Sequence, residues 1–502
     1  MLKKIRLTLA LIVFVLVTLL FLDFTGTLHA WFGWLAKIQF LPAVLAHSAG
    51  IIIFLVLLTL LLGRVYCSVI CPLGVSQDIV ARIGKRGKKL PYYFSPAKSW
   101  LRYGVIALFI AAMIFGVSAV VSLLDPYGAY GRIAGNLFLP VWQWGNNLLA
   151  LIAERMESYA FYTTDVWMKS LPTFIVAVLT LIVVAVLAWR NGRTYCNTIC
   201  PVGTLLGFLS RFSLFQIRFD EEKCNKCNLC ARNCKAACID CNELKIDSSR
   251  CVSCMNCIEK CNRDAINYKF GLPKSGVTVK SQSPVEKGNE GRKQFLAATM
   301  ILATSALKAQ IVPQATDIKM DGGLADILPK RSPVRQTPIS PAGSQSARNM
   351  KRHCSACQFC VTVCPNGVLR PSTSLETFMQ PLMSYERGFC RPECVKCSEV
   401  CPAGAINRIS IEEKSSTQIG RAVWVRERCI PLTDGQQCDN CEHHCPTAAI
   451  TMVPSVAGDE NSLMIPAINE ELCIGCGACE YLCPSRPLSA IYVEGVQVHR
   501  VI

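Results

Sequence analysis

Cys354-Ser355-Ala356-Cys357-Gln358-Phe359-Cys360-Val361-Thr362-Val363-Cys364-Pro365 is a run of four cysteines closed by proline. Three thiolates at this spacing hold one [4Fe–4S] cluster, and the fourth serves a neighbouring cluster. The pattern recurs along the chain. Of 30 cysteines in 502 residues, most fall into six such blocks, and four of those blocks end in Cys-Pro. Thiols this close in sequence make no sensible disulfide set, and zinc sites use paired Cys-x2–4-Cys knuckles rather than four-cysteine runs.

The first two blocks place Cys224, Cys227 and Cys230 before Cys234, and Cys251, Cys254 and Cys257 before Cys261. The crossing rule assigns Cys224, Cys227, Cys230 and Cys261 to one cluster and Cys251, Cys254, Cys257 and Cys234 to the other. Lys235 and Asn262 stand where proline usually follows the fourth cysteine, and Cys238 and Cys241 are extra thiols that either substitute for a ligand or stand idle, the idle reading being preferred. The C-terminal part holds Cys354, Cys357, Cys360 and Cys364; Cys390, Cys394, Cys397 and Cys401; Cys429, Cys438, Cys441 and Cys445; and Cys473, Cys476, Cys479 and Cys483. Sixteen thiols suit four clusters, six in all with the N-terminal pair. Sequential exchange sends Cys401 to the first set, Cys364 to the second, Cys483 to the third and Cys445 to the fourth. A nested exchange of the first with the fourth block satisfies the spacing equally.

Hydrophobic residues make up 51% and charged residues 17%, against about a quarter charged in soluble proteins, and mean hydropathy is +0.33. Part of the chain therefore belongs in lipid. Four segments read as spans, 7–22, 50–62, 105–124 and 173–189, each near the ~20 apolar residues a bilayer needs. The loop 64–102 carries eight basic residues against one acid, Asp78, which places it in the cytoplasm. The formal charge of +17 is explained by such flanks rather than by nucleic-acid binding. The loop 125–171 is charge-balanced and reads as external. A further apolar stretch, 294–312, follows Gly291-Arg292-Lys293-Gln294-Phe295-Leu296, a degenerate twin-arginine signal, and reads as a fifth span. The expected organisation is a four-helix membrane domain (1–215), a cytoplasmic dicluster domain (216–272), a linker with the fifth span (273–348) and a periplasmic tetracluster domain (349–502). The ferredoxin parts are expected to be α+β.

An internal repeat marks the membrane part: Gly63-Arg64-Val65-Tyr66-Cys67-Ser68-Val69-Ile70-Cys71-Pro72-Leu73-Gly74 and Gly192-Arg193-Thr194-Tyr195-Cys196-Asn197-Thr198-Ile199-Cys200-Pro201-Val202-Gly203. Cysteines four apart share a helix face, so Cys67, Cys71, Cys196 and Cys200 can converge on a pseudo-two-fold axis. Such a quartet suits a further iron–sulfur cluster or another soft metal.

These motifs resemble the NapH/NapG-type membrane ferredoxins, a family related to MauM and NosR. The membrane half with its two Gly-Arg-x-Tyr-Cys-x3-Cys-Pro-x-Gly motifs is similar to NapH, and the C-terminal half is similar to NapG, as in a fusion of the two. The resemblance implies a multi-pass protein of a bacterial inner membrane. It would be a quinol dehydrogenase component of an anaerobic respiratory chain, oxidising menaquinol and passing electrons to c-type cytochromes or a periplasmic reductase, with other membrane subunits as companions. A transmembrane conduit for a cytoplasmic donor and a NosR-like reactivation protein are the competing readings. Proton acceptors for a quinol site are few. His47 and Asp125 are the candidates, ahead of His29.

Overall fold

The computed structural model describes residues 2–86, 92–158, 160–270, 319–321, 325–459 and 462–502. Its longer helices in the N-terminal part are α1 (Leu2–Leu22), α2 (Ala49–Leu62), α3 (Pro72–Arg86), α4 (Ser99–Phe115), α5 (Pro126–Ile133), α6 (Leu139–Arg155), α7 (Leu171–Asn191) and α8 (Pro201–Leu209). Sequence punctuation sets their ends. Gly63 and Gly192, the first residues of the two repeats, follow α2 and α7 with φ of +74° and +71°, the left-handed side that stops a helix. Asp125 caps α5, accepting from the backbone N–H groups of Tyr127 and Gly128, with Pro126 at the first position.

Among the described residues, α1 and α7 are the two helices long and apolar enough to cross a membrane; α2 and α4 are shorter apolar helices. The segment expected as one span over 105–124 is two helices, because Gly116 at φ +70° ends α4 and a new helix runs Ser118–Leu124. The expected external loop 125–171 is largely helical as well, and all eight residues of α5 are buried. The expected fifth span at 294–312 lies outside the described residues.

The ferredoxin parts are built of short helices and two-stranded antiparallel sheets. Near the N-terminal cysteine blocks, β1 (Phe215–Phe219) pairs β2 (Ile266–Phe270) from Phe215↔Phe270 to Phe219↔Ile266. In the C-terminal part, β3 (Leu369–Pro371) pairs β4 (Pro381–Met383). Strand β5 (Thr417–Trp424) pairs β8 (Ile491–Val501), and β6 (Ile450–Pro454) pairs β7 (Met464–Ile468). Residues 1–272 and 330–502 form one compact unit. Among the described residues of 273–329, Lys319–Asp321 pairs with Ala325–Ile327.

Within that compact unit both long helices run from one ferredoxin part to the other. Lys3 at the start of α1 pairs with Glu259, while Phe21 at its end stacks on Phe359 with ring centroids 4.0 Å apart. Lys169, just before α7, donates to the Val361 carbonyl at 2.9 Å, and Arg193, just after it, donates its backbone N–H to the Lys235 carbonyl at 2.8 Å. At ~1.5 Å per residue, 21 residues span ~30 Å.

Candidate electron-transfer site

The C-terminal cysteines line separate small cavities, and the sets decide the pairing that spacing left open. One cavity is walled by Cys354, Cys357, Cys360 and Cys401, a second by Cys364, Cys390, Cys394 and Cys397, and a third by Cys429, Cys438, Cys441 and Cys483. Cys445 neighbours Cys473 and Cys476 in the fourth set. This is the sequential exchange. Burial pushes the Cys357, Cys441 and Cys476 thiols each up to about 12. A thiolate set in such a place needs bound metal charge to form, as cluster ligation supplies.

In the N-terminal block one cavity is lined by Cys234, Cys251, Cys254 and Cys257, the predicted set, and also by Cys238. Cys241 is not idle in position either. Its Sγ lies 3.3 Å from that of Cys230, and Cys224 and Cys227 are its other thiol neighbours. Cys261 accepts from the Ala265 N–H at 3.3 Å.

The repeat brings Cys67, Cys71, Cys196 and Cys200 together in the bundle core, each at most 5% exposed. Each motif's arginine crosses to the other repeat. Arg64 donates to the Cys196 carbonyl at 3.2 Å, and Arg193 donates to the Cys67 carbonyl at 2.6 Å. The closing glycine of each motif makes room for that arginine. A Cβ on Gly74 would meet the Cys67 carbonyl oxygen at 2.3 Å and Arg193 at 3.0 Å, and one on Gly203 would meet the Cys196 carbonyl oxygen at 2.2 Å and Arg64 at 2.9 Å. All four sulfurs receive donors: Cys67 from Arg64, Cys196 from Gln77 at 3.2 Å, Cys200 from the Gly203 N–H at 3.3 Å and Cys71 from the Gly74 N–H.

Charge explains what this nest fits. Asp78, the lone acid of the basic loop, binds Lys235 at 2.6 Å, Arg193 at 2.6 Å and Arg6 at 3.2 Å. Arg64 is fully buried and has no carboxylate at ion-pair distance among the described residues. Buried cations in excess are costly unless an anion balances them, and a tetrathiolate cluster is an anion. Among the described residues no three His, Cys, Asp or Glu side chains converge tightly enough for a single metal ion. A cluster, with one thiolate on each of four irons, tolerates wider spacing. Lys235 also explains its departure from the Cys-Pro pattern, since a proline could not reach Asp78. Sequence reading missed this pairing; the signal was one acid in a loop of cations.

The thiol sets follow one another in file. Arg64 donates to the Ser249 carbonyl, two residues before Cys251, at 3.0 Å and also touches Cys67. Tyr195 lies near Cys196, Cys200, Asp125 and Arg132, and Tyr127 on α5 lies near Tyr66, Cys357 and Cys401. A Cβ on Gly131 of α5 would meet the Cys357 carbonyl oxygen at 2.5 Å, so one helix separates the quartet from the Cys354 set. Beyond it, Cys360 neighbours Cys397, the Cys390 N–H donates to the Cys476 carbonyl at 2.9 Å, and Cys479 neighbours Cys441.

Of the proton-acceptor candidates, Asp125 is fully buried as the α5 cap. The His47 ring packs against His353 of the C-terminal part, centroids 5.5 Å apart. His29 contacts Asp23 at 3.4 Å and the edge of Phe359. The structure does not bring the three together with an open slot. A cavity of about 800 Å³ lies elsewhere, lined by Tyr92, Tyr93, Phe94, Trp189, Asn197 and Arg250 among others. It adjoins the quartet through Asn197 and the N-terminal block through Ala236 and Ala237.

Comparison with known proteins places these elements. A family model described as a 4Fe-4S binding domain matches residues 47–91 and 171–219, which contain the quartet, and a 4Fe-4S dicluster domain model matches 428–486. The ferredoxin-type protein NapF of Escherichia coli K12 is 26% identical over 35% of this chain and 99% of its own. NapG of the same organism is 29% identical over 32% and 71%. The methylamine utilization ferredoxin-type protein MauM of Paracoccus denitrificans is 31% identical over 32% of this chain and 73% of its own. No solved structure matches.

Proposed function

The chain belongs to the Nap/Mau-type ferredoxin family, and from that premise we propose that it carries electrons across a membrane, from quinol to its C-terminal ferredoxin part. The observation that supports this is the succession of thiol sets, with the quartet buried in the core of a bundle whose two long helices span ~30 Å. The residues that would hold clusters are the two N-terminal sets, Cys67, Cys71, Cys196 and Cys200, and the four C-terminal sets. Bound there, [4Fe–4S] clusters supply one-electron redox chemistry.

The chain's own residues do the rest. Helices α1 and α7 cross the membrane in this reading. The separate helix Phe40–Leu45 precedes α2, and the separate helix Ser118–Leu124 follows α4 after Gly116; each pair would complete one span, making four. Their outer faces carry exposed Leu11, Phe54, Ile110, Phe115, Leu179 and Val183, the surface lipid would cover. The lysine- and arginine-rich loop and the first ferredoxin part lie in the cytoplasm, and the C-terminal part lies in the periplasm, facing a cytochrome or reductase.

Quinol fits the aromatic cavity, where the rings of Tyr93, Phe94 and Trp189 share the walls with a polar side that includes Asn197, Arg190 and Arg250. Asn197 and Arg250 would orient the head, and Trp189 and Tyr93 would cover the ring. This replaces His47 and Asp125 as the preferred place for that substrate. The second reading, a conduit for a cytoplasmic donor, is favoured by Arg64, which donates to the Ser249 carbonyl of the N-terminal block at 3.0 Å. Anaerobic mixing with a reduced menaquinone analogue separates the two. Bleaching of cluster absorbance by quinol supports the enzyme, and bleaching only by a reduced cytoplasmic ferredoxin supports the conduit.

A further inference from the structure

The two cysteines surplus to the ferredoxin pattern are placed as ligands. Cys238 is 1% exposed and lines the cavity of the Cys234, Cys251, Cys254 and Cys257 set. Its Sγ lies 3.6 Å from that of Cys234 and bonds Cys251 as well. Cys241 is 4% exposed, with its Sγ 3.3 Å from that of Cys230. The fold holds both there deliberately. Cys238 sits at the start of the hairpin in which Ile239 pairs Ile246, and its carbonyl accepts from the Asp247 N–H at 2.9 Å. Cys241 opens the turn of that hairpin. The cavity of the Cys234 set therefore holds five thiols where a cubane uses four, and Cys241 would be the fifth beside the ligand set predicted around Cys230.

Two sulfurs in contact cannot serve different corners of one cluster, but both can reach the same iron in turn. We propose that Cys241 with Cys230, and Cys238 with Cys234, are interchangeable ligand pairs of the two N-terminal clusters. The exchange balances without an oxidant. Cys230 and Cys241 would hold the same iron in turn, the incoming thiol giving its proton to the outgoing sulfur across their 3.3 Å contact. The cluster's electron count is unchanged. The surface position of this block gives the arrangement a use. Cys227 is exposed and Cys224 and Cys261 are half-buried, so iron here is open to competing ligands. A spare thiol in contact recaptures an iron before it leaves.

The inference rests on the reading that this block holds two clusters, which the iron content of the unaltered full chain tests separately. Iron and acid-labile sulfide per chain, with electron paramagnetic resonance of the reduced protein, are then measured for Cys230→Ser, Cys241→Ser and the double variant. Both single variants are expected to keep full iron while the cluster signal shifts, and the double variant is expected to lose about four irons. Loss of iron in either single variant, or full retention in the double, overturns the pairing. Should the double variant fail to accumulate, a chelator challenge decides. Iron release from Cys241→Ala must run several-fold faster than from the unaltered chain, and an equal rate overturns the proposal.

Discussion

At the scale of single residues, the sharpest constraint is the glycine that closes each repeat. Gly203 has no room for a side chain, because a Cβ there would press on the Cys196 carbonyl at 2.2 Å and on Arg64 at 2.9 Å. Neither can yield, since the carbonyl is backbone and Arg64 is locked between Asn197, Ser249 and Cys196. Gly203→Ala is expected to cost the quartet its cluster, a loss of about four irons, with the C-terminal clusters intact by resonance. Gly104 in α4 has nothing within 4 Å of its Cβ position. Gly104→Ala should leave iron unchanged and stabilise the helix by about 0.5–1 kcal/mol. Equal effects of the two substitutions would remove the basis for the crossed-arginine account.

The residue scale also shows what sequence can and cannot disclose. Ligand spacing within a block was legible because a cluster binds three thiols from one short loop. Which fourth cysteine completes each set was not, since Cys401 reaches Cys354 only through the fold. Lys235 looked like a lapse in the Cys-Pro pattern, and its partner Asp78 lies far away in the chain.

At the scale of elements, α5 was the hardest to foresee. Its sequence, Pro126-Tyr127-Gly128-Ala129-Tyr130-Gly131-Arg132-Ile133, is too short and polar to signal burial, and the balanced charge of 125–171 pointed outward. The helix is nonetheless enclosed, because its glycines admit the Ser355 and Cys357 carbonyls and its tyrosines pack on Phe14 and Phe21. Gly131→Ala would press on the Cys357 carbonyl at 2.5 Å and on the Phe21 ring at 2.7 Å, lifting the C-terminal part from the bundle. Electron transfer falls steeply with distance, so delivery to the C-terminal clusters should slow at least several-fold in stopped-flow absorbance, at unchanged iron content. The last strand, β8, carries a pH-sensitive group. His499 sits with Nε2 3.0 Å from Ser340 Oγ and with Nδ1 buried and unpartnered, and burial lowers its pKa from 6.5 to about 4. The folded state therefore refuses a proton that the unfolded chain accepts. Stability is full above pH 6.5 and is lost as pH falls toward 4, on the order of 2 kcal/mol. Unfolding midpoints at pH 7 and pH 4.5 measure this, and His499→Gln should remove that share of the difference.

At the scale of the whole molecule, the proposed electron path would give the repeat a role set by distance. Helices α1 and α7 hold the two ferredoxin parts ~30 Å apart, too far for a direct electron step. The quartet divides that gap, with Arg64 on one side and the single helix α5 on the other. Seven thiol sets call for about 28 irons per chain, where the six ferredoxin sets alone would give about 24. Cys196→Ala removes one quartet ligand without touching either ferredoxin part, so it should lower iron by about four and split the file in two. The split is observable in sealed vesicles holding the full chain, with an impermeant reductant supplied to one face. In the unaltered protein, clusters of both parts should be reduced. In Cys196→Ala, reduction should stop at the part facing the reductant, while that part's own rate stays unchanged. Reduction of both parts at the original rate in the variant would mean that electrons bypass the quartet. The buried arginines around Cys67 and Cys196 would then need another anion to balance.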